Sequence, residues 1–392
     1  MSSHPKFSSF MMGGFECTYA KVEQNKRLDL LVSTRHDQKC REDYQLLKEL
    51  GIWTVREGLA WSQIDQNGKY DFSKFEEMMR IGQEEKIQQL WDLNHFDYPD
   101  DLDPFSKEFI ERFRTYAVEA VKTLRHYSDQ TLYLCPINEI SFFAFIAGDV
   151  GAWAPYQKDR GLELKKQLVL ASIAAMDAVW DQDSNVRFLQ VDPIFSRVPQ
   201  KPITRQKRKV GHEFAESKFQ AWDMLSGKIF PELGGHPKYL DILGCNYYYY
   251  NQEWITAVDA EGKSTYKTIP LYSKHRIMVG TMLKEVYLRY KRPLLISETG
   301  GWGELRPKWW KKLFKEIDKV RKRLPIYGVC IYPIVDRADW SEGHLTNSGL
   351  WDYASGDELC QRVPHHPTID LIQKYIKKEQ SLQPVELQFH QL

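Results

Sequence analysis

The stretch Leu132-Tyr-Leu-Cys-Pro-Ile-Asn-Glu139 decides the fold, because a short apolar run ends in an amide beside a carboxylate. The run is too short for a helix and has the composition of a buried strand. Pro136 has no N–H to give to a strand ladder, so it marks the end of the strand. Asn138 and Glu139 therefore follow the carboxyl end of the strand, the end that carries the chemistry in a parallel barrel.

The same design returns at Pro293-Leu-Leu-Ile-Ser-Glu-Thr-Gly300. Again a short apolar run ends in a carboxylate, Glu298, and the glycine that follows permits a sharp exit. Two carboxylates at the ends of two strands are the minimum equipment for cutting a glycosidic bond.

Around these two stretches, strand-like and helix-like patterns alternate along the whole chain. Strands are predicted at 10–15, 53–56, 88–93, 132–135, 186–191, 241–245, 294–297 and 326–332, and helices at 37–50, 72–86, 106–127, 163–181, 212–225, 275–291, 307–323 and 368–377. This alternation predicts an α/β fold with a single (β/α)8 TIM barrel over 1–392, in which 1–9 and 380–392 are terminal tails. A doubly wound sheet is the alternative, but no Gly-x-Gly-x-x-Gly follows the first strand.

Composition excludes several classes of partner. The formal net charge of +1 creates no global field for nucleic acid or an acidic membrane. No stretch approaches the ~20 apolar residues of a membrane helix, and the N-terminus lacks the pattern of a signal peptide. The six cysteines have no metal-ligand spacing and fit buried thiols of a reducing compartment. We expect a cytoplasmic protein with no metal and no other cofactor, and its oligomeric state stays open.

Two segments allow more than one interpretation. The basic stretch 199–211 is interpreted as a solvated loop before a helix rather than a nucleic-acid patch. Segment 252–270 is interpreted as a surface hairpin that turns at Glu261-Gly262, and its role is open.

Polar side chains follow most of the predicted strands, and a barrel would bring them to one mouth. They are Glu16, Arg56, His95, Asn138, Glu139, Asp192, Asn246, Tyr248, Glu298 and Tyr332. Carboxylates, amides and phenols can bind sugar hydroxyls and stabilise an oxocarbenium ion. We expect Asp192 to be structural. No Gly-x-Ser-x-Gly elbow offers a nucleophilic serine.

Five segments in the right order resemble the family 1 glycoside hydrolases, the β-glucosidase group. They are Trp53–Leu102, Asn138-Glu139, Leu243-Gly-Cys-Asn-Tyr-Tyr248, Ile296-Ser-Glu-Thr-Gly300 and Gly328–Tyr353. Within the last segment, Tyr332-Pro-Ile-Val-Asp-Arg-Ala-Asp-Trp-Ser-Glu-Gly343 is similar to the sugar-binding motif of that family in both spacing and residue type.

The resemblance implies a role for each matching residue. Glu139 matches the acid/base, Glu298 the nucleophile, and Asn138 the residue that binds the sugar 2-hydroxyl. The remaining matches are Arg56 and Tyr248, which would hold the nucleophile ionised, His95, Asp339 and Trp340, which would contact the nonreducing-end sugar, and Asn246 beside the site.

Departures from the family pattern fall on sugar recognition. Tyr332 stands where a tryptophan is usual, and Asp339 where a glutamate is usual. The first-strand glutamine has no clear match, and Glu16 and Lys21 are both imperfect candidates. The sugar preferred by this chain is therefore open, while the pair of glutamates is intact.

Taken together, the sequence predicts a retaining exo-β-glycosidase that hydrolyses β-linked glycosides or short oligosaccharides through a covalent glycosyl-enzyme intermediate. A retaining pair of carboxyl groups lies ~5–5.5 Å apart. Burial and Glu298 should raise the pKa of Glu139. A negative Asp339 predicts a sugar without a 6-phosphate. A transglycosidase and a non-catalytic carbohydrate-binding barrel are the alternatives.

Overall fold

A computed structural model describes residues 4–23, 26–340, 343–354 and 356–381. Its centre is a closed barrel of eight parallel strands, labelled β1 to β8 in chain order. They are β1 Met11–Gly14, β2 Thr54–Gly58, β3 Gln88–Asp92, β4 Leu132–Cys135, β5 Val186–Pro193, β6 Ile242–Asn246, β7 Leu294–Thr299 and β8 Ile326–Ile331. Each strand pairs with the next along the chain, and β8 closes on β1 with Cys330 opposite Met12. The predicted (β/α)8 barrel is confirmed.

Helices follow the strands and cover the outside of the barrel. They are α1 His36–Leu50, α2 Ser73–Glu85, α3 Lys107–Arg125, α4 Gly161–Gln182, α5 Arg205–Ser217, α6 Val279–Tyr290, α7 Arg306–Val320 and α8 His366–Ser381. The start of α3 shows how the sequence places them: the Ser106 hydroxyl accepts from the Phe109 N–H, and Phe109, Phe113 and Tyr116 then bury one face. Gly51 ends α1 with φ 86°, in the left-handed region.

The strands bury side chains on both faces. One apolar layer inside the barrel includes Met12, Leu90 and Leu295 together with Tyr133. The segment 4–9 packs under this layer, since the Phe7 ring lies 4.8 Å from that of Tyr133 and the Lys6 N–H donates to the Tyr133 hydroxyl. The other parts of the predicted tails, 1–3 and 382–392, lie outside the described residues.

Two predicted elements have wrong boundaries. Part of the basic stretch 199–211 is helical rather than loop, because the Thr204 hydroxyl caps α5 by accepting from the Lys207 N–H. Lys207 is buried, and its ammonium donates to the carbonyls of Gln200 and Pro202. The helix predicted at 275–291 begins only at Val279.

The hairpin predicted at 252–270 is confirmed. Strand Gln252–Val258 runs antiparallel to Ser264–Thr268, and a third strand, Ser196–Pro199, joins it in parallel. This small sheet stands beside the barrel mouth. Across the described parts of the chain, no helix combines the length and the apolar character needed to cross a membrane.

Candidate active site

A cavity of 610 Å³ opens at the carboxyl ends of the barrel strands. Predicted site residues that line it are Glu16, His95, Asn138, Glu139, Tyr248, Glu298, Tyr332 and Trp340. Arg56 and Asn246 are buried and hold these side chains from behind. The strand ends therefore converge as the sequence predicts.

Glu298, on β7, is held at both carboxylate oxygens. Arg56 Nη1 donates to Oε1 at 2.5 Å, and the Tyr248 hydroxyl donates to Oε2 at 2.9 Å. A guanidinium and a phenol hydroxyl both donate, so both oxygens of Glu298 act as acceptors. The carboxylate is thus fixed in orientation and matched by a positive partner.

Arg56 is itself held by a residue that the sequence did not point to. Asp92, at the end of β3, accepts from Arg56 Nε at 3.0 Å and from Nη2 at 2.6 Å. Nη2 also donates to Asn138 Oδ1 at 2.7 Å. Burial alone would lower the pKa of Arg56, but Asp92 and Glu298 raise it well above its usual value. The guanidinium stays charged and has one orientation.

The same contacts orient the ring of His95. Because Asn138 Oδ1 accepts from Arg56, its Nδ2 must be the atom that faces His95 Nε2, at 3.2 Å. An amide N–H only donates, so Nε2 accepts. The ring proton then lies on Nδ1, which is 2.9 Å from Asp92 Oδ2. Asp92 therefore orients the ring of His95.

Glu139 follows β4 in the left-handed region, with φ 45° and ψ 59°. For a residue with a Cβ this costs of the order of 1–2 kcal/mol. The Glu139 N–H donates to the Val191 carbonyl at 3.0 Å, and Oε1 accepts from Asn246 Nδ2 at 2.8 Å. Burial and the charge of Glu298 raise the pKa of Glu139 well above its usual value. These two causes favour its protonated form.

Asp192 supports the turn that follows Glu139. Its carboxylate accepts from the Ser141 N–H at 3.0 Å and from the Ser141 hydroxyl at 2.6 Å. Burial raises the pKa of Asp192 to about 6. These contacts fit the structural role expected from the sequence.

Glu16 and Tyr332 meet at the side of the cavity below His95. The Tyr332 hydroxyl donates to Glu16 Oε1 at 3.1 Å, and the Thr18 hydroxyl donates to the same oxygen at 2.6 Å. The Tyr332 ring lies nearly parallel to the His95 ring, at 6.2 Å between centroids. Lys21, the other first-strand candidate, instead pairs with Asp100.

Asp339 is a predicted sugar contact that is not among the residues lining the cavity. Its carboxylate oxygens accept from the backbone N–H groups of Gly343 and His344, at 3.2 and 3.0 Å. The shorter side chain thus closes its own turn. Arg337 lines the cavity instead, and its guanidinium carbon lies 5.0 Å above the Trp340 ring.

The sequence pattern does not predict much of the aromatic wall of the cavity. Phe96, Phe142, Phe145, Phe195, Phe214, Tyr250 and Trp302 line the cavity. Of these, Trp302 carried a usable signal, since it follows Glu298 closely after two glycines. The others lie in loops or helices whose course the pattern does not indicate.

One buried cluster has the donor types of a metal site. Potential ligand atoms of Cys17, Asp92 and His95 lie within 4.8 Å of one another. However, Arg56 Nη2 is 2.6 Å from Asp92 Oδ2, and His95 Nδ1 carries its proton toward the same oxygen. A fixed cation therefore occupies the position that a metal would need, and the cluster does not fit one.

Comparison with known proteins gives a consistent family. The model of glycosyl hydrolase family 1 matches residues 14–230. A segment of 131 residues is 30% identical to "Glycosyl hydrolase-like protein 1" of Saponaria officinalis, and it covers 30% of this chain and only 28% of that protein. "Cytosolic beta-glucosidase" of Homo sapiens is 22% identical over 414 residues, with 83% of each chain covered.

Solved structures share the fold at low identity. A β-glucosidase from Thermotoga maritima in complex with glucoimidazole superposes with a TM-score of 0.78 and 15% identity, covering 96% of this chain and 98% of that one. The AHE enzyme from Alicyclobacillus herbarius gives 0.78 and 16%, covering 96% and 99%. Glu139 lies within the segment matched by the family model, and Glu298 lies beyond it.

Proposed function

Since the chain belongs to glycosyl hydrolase family 1, we propose that it is a retaining exo-β-glycosidase acting on small β-linked glycosides. The observation that carries the proposal is the contrast between its two carboxyl groups. Glu298 is matched by Arg56 and Tyr248, whereas burial and Glu298 raise the pKa of Glu139. A carboxylate held by two donors, next to a carboxyl group with a raised pKa, supplies a nucleophile and an acid in one site.

In the first step, a carboxylate oxygen of Glu298 attacks the anomeric carbon, and the bond to the glycosidic oxygen breaks. Glu139 gives its proton to that leaving oxygen. The products are a glycosyl ester on Glu298 and a free aglycone. Arg56 and Tyr248 orient the attacking carboxylate.

In the second step, Glu139 acts as the base. The ester has removed the negative charge of Glu298, so one of the causes of the raised pKa of Glu139 is gone. Glu139 takes a proton from water, the hydroxide oxygen attacks the anomeric carbon, and Glu298 leaves as a carboxylate. Two inversions give net retention.

The remaining polar wall supports sugar binding. Asn138, in the position that the family uses for the 2-hydroxyl, is held by Arg56, and the ring of His95 lies beside it. Both side chains offer hydrogen-bonding groups that suit contacts with the hydroxyl groups of a sugar.

The test is the stereochemistry of the first product. A panel of aryl β-glycosides with different sugars identifies a substrate, and NMR during the first turnovers should show the β-anomer. A crystal structure should place the two carboxyl groups ~5–5.5 Å apart rather than ~6.5–9.5 Å. An α-anomer as first product would contradict the proposal.

A second measurement separates the alternatives. A 2-deoxy-2-fluoro aryl β-glycoside should leave a covalent adduct that mass spectrometry maps to Glu298, with no adduct in Glu298→Gln. Added alcohol acceptors that divert most of the product would indicate a transglycosidase. Sugar binding without any turnover would indicate a carbohydrate-binding barrel.

A further inference from the structure

An arginine–glutamate pair lies in the wall of the cavity beside the proposed sugar contacts. Arg337 Nε is 2.7 Å from Glu16 Oε2, although the two residues are more than three hundred positions apart. Glu16 is 3% exposed and Arg337 9% exposed, and both line the cavity. A pair of this kind lies too deep to be an ordinary surface ion pair, and its desolvation has to be offset by other contacts.

Glu16 has such contacts. Its Oε1 accepts from the Thr18 hydroxyl at 2.6 Å, from the Thr18 N–H at 3.2 Å and from the Tyr332 hydroxyl at 3.1 Å. Burial alone would raise the pKa of Glu16, but Arg337 and Thr18 hold it below its usual value. Glu16 is thus an anion whose Oε1 already accepts three hydrogen bonds and whose Oε2 faces Arg337, so it holds its neighbours in position.

Arg337 makes further contacts in the wall of the cavity. Its Nη1 donates to the Ala338 carbonyl at 2.8 Å, and its guanidinium lies 5.0 Å above the Trp340 ring. The indole Nε1 of Trp340 is buried with no hydrogen-bond partner in the described part of the chain. The Arg337 guanidinium and the Trp340 ring thus form one part of the cavity wall.

We propose that Arg337, positioned by Glu16, determines which nonreducing-end sugar binds, and that the pair selects an uncharged sugar over a uronic acid. This inference rests on the proposed function and deepens it. Arg337 takes the sugar-binding role predicted for Asp339, since the Asp339 carboxylate is bound to backbone N–H groups.

The reason for the selection is the charge of the pair. A guanidinium only donates, so it pairs best with an oxygen acceptor and best of all with a carboxylate. Glu16 already supplies that carboxylate. A sugar hydroxyl can accept a further hydrogen bond without a charge penalty, whereas a sugar carboxylate would meet Glu16 and Glu298 as like charges.

The experiment compares two ligands in wild type and variants. Calorimetry measures binding of deoxynojirimycin and of its analogue with a carboxylate in place of the C6 hydroxymethyl group. Both ligands carry the same ring amine, so the ratio of their affinities reports the substituent alone. Wild type should prefer the uncharged ligand.

Glu16→Gln should raise the relative affinity for the carboxylate ligand at least about tenfold, because it frees the charge of Arg337. Glu16→Asp keeps the charge and should keep the wild-type ratio, which controls for altered packing. In the double variant with Arg337→Gln, the gain should disappear. Asp339→Asn should leave the ratio unchanged.

An unchanged ratio in Glu16→Gln, or a changed ratio in Asp339→Asn alone, would overturn the inference. The binding readout does not require turnover. If the chain is not a glycosidase, hydrolysis should be absent while the affinity ratios stay as predicted. A failure of the proposed activity can therefore be told apart from a failure of the proposed selection by Arg337.

Discussion

Asp92 holds the guanidinium of Arg56 by two hydrogen bonds, of 3.0 Å to Nε and 2.6 Å to Nη2. This arrangement leaves Nη1 to reach Glu298. The same carboxylate lies 2.9 Å from His95 Nδ1. One buried residue therefore sets the orientation of a cation beside the proposed nucleophile and the tautomer of a proposed sugar contact.

Replacing Asp92 should impair catalysis, although Asp92 itself does not contact the substrate. Asp92→Asn keeps the size of the side chain but can no longer accept from both guanidinium nitrogens. We expect kcat/KM to fall by up to about 100-fold, the cost of a small misplacement of reacting groups. Steady-state kinetics on an aryl β-glycoside measure this loss.

A second buried pair provides the matched control for Asp92. Asp43 accepts from Arg362 Nε and Nη2, each at 2.7 Å, away from the cavity. Asp43→Asn should cost about 3–5 kcal/mol in the free energy of unfolding, as broken buried pairs do. It should leave kcat per folded molecule unchanged. Equal losses of kcat in both variants would make the role of Asp92 merely structural.

The raised pKa of Glu139 predicts the alkaline side of the pH–rate profile. Burial and Glu298 raise this pKa, which favours the protonated carboxyl group that the first step needs. Its proton is lost as pH rises through the raised value. Activity should fall there, and Glu139→Gln should abolish this limb of the profile.

The activity of Glu139→Gln should depend on the leaving group. Aryl glycosides whose phenol leaves without help should keep most of their rate in the first step, whereas poor leaving groups should lose ~10²–10⁴-fold. A series of phenols of graded acidity gives the comparison. Equal losses across the series would remove Glu139 from the acid role.

Much of the site could be predicted because parallel strands end at one mouth. Asn138, Glu139 and Glu298 each follow a short apolar run, and the barrel brings such positions together whatever the details of packing. The strand pattern fixes which end of each strand a residue occupies. It does not fix which neighbour the side chain contacts.

The parts that could not be predicted depend on such contacts. Asp92 and Asp192 both end apolar strands, yet one orients Arg56 and the other supports Ser141. Asp339 matches a sugar contact by spacing, but one methylene less lets it bind its own turn. Thr204 begins α5 inside a stretch whose charge suggested a loop.

The raised pKa of His36 should make the stability of the fold depend on pH. It is fully buried, with Nδ1 2.7 Å from Asp43 and Nε2 3.0 Å from Glu57. Burial alone would lower the pKa of His36, but Glu57 and Asp43 raise it to about 9. The stabilisation is complete below the unfolded value of about 6.5 and is lost as pH rises through about 9.

Urea unfolding at several pH values measures this contribution. Between pH 6 and pH 10 the wild-type protein should lose roughly 3 kcal/mol from this group, and His36→Gln should flatten that part of the curve. His126, which is exposed at the end of α3, supplies the control variant His126→Gln. A curve for His36→Gln parallel to that of wild type would exclude a charged His36.

Gly14, the last residue of β1, is packed closely against Tyr332, and a substitution there tests that packing. A Cβ at this position would lie 2.4 Å from Tyr332 Cδ2 and 2.9 Å from Cys330 Sγ. The Tyr332 ring is held at its other end by Glu16, so it cannot yield without disturbing the cavity. Gly14→Ala should destabilise the fold by about 1–3 kcal/mol, as overpacking does, and should raise KM for the glycoside.

The comparison variant is Gly211→Ala, within α5. There an added Cβ meets its nearest atoms at 3.4 Å, which is ordinary contact, and alanine favours a helix by about 1 kcal/mol over glycine. This variant should keep the wild-type KM and should unfold at the same or a slightly higher temperature. If Gly14→Ala loses stability but keeps the wild-type KM and the wild-type affinity for deoxynojirimycin, then Tyr332 is a packing residue and does not shape the sugar site.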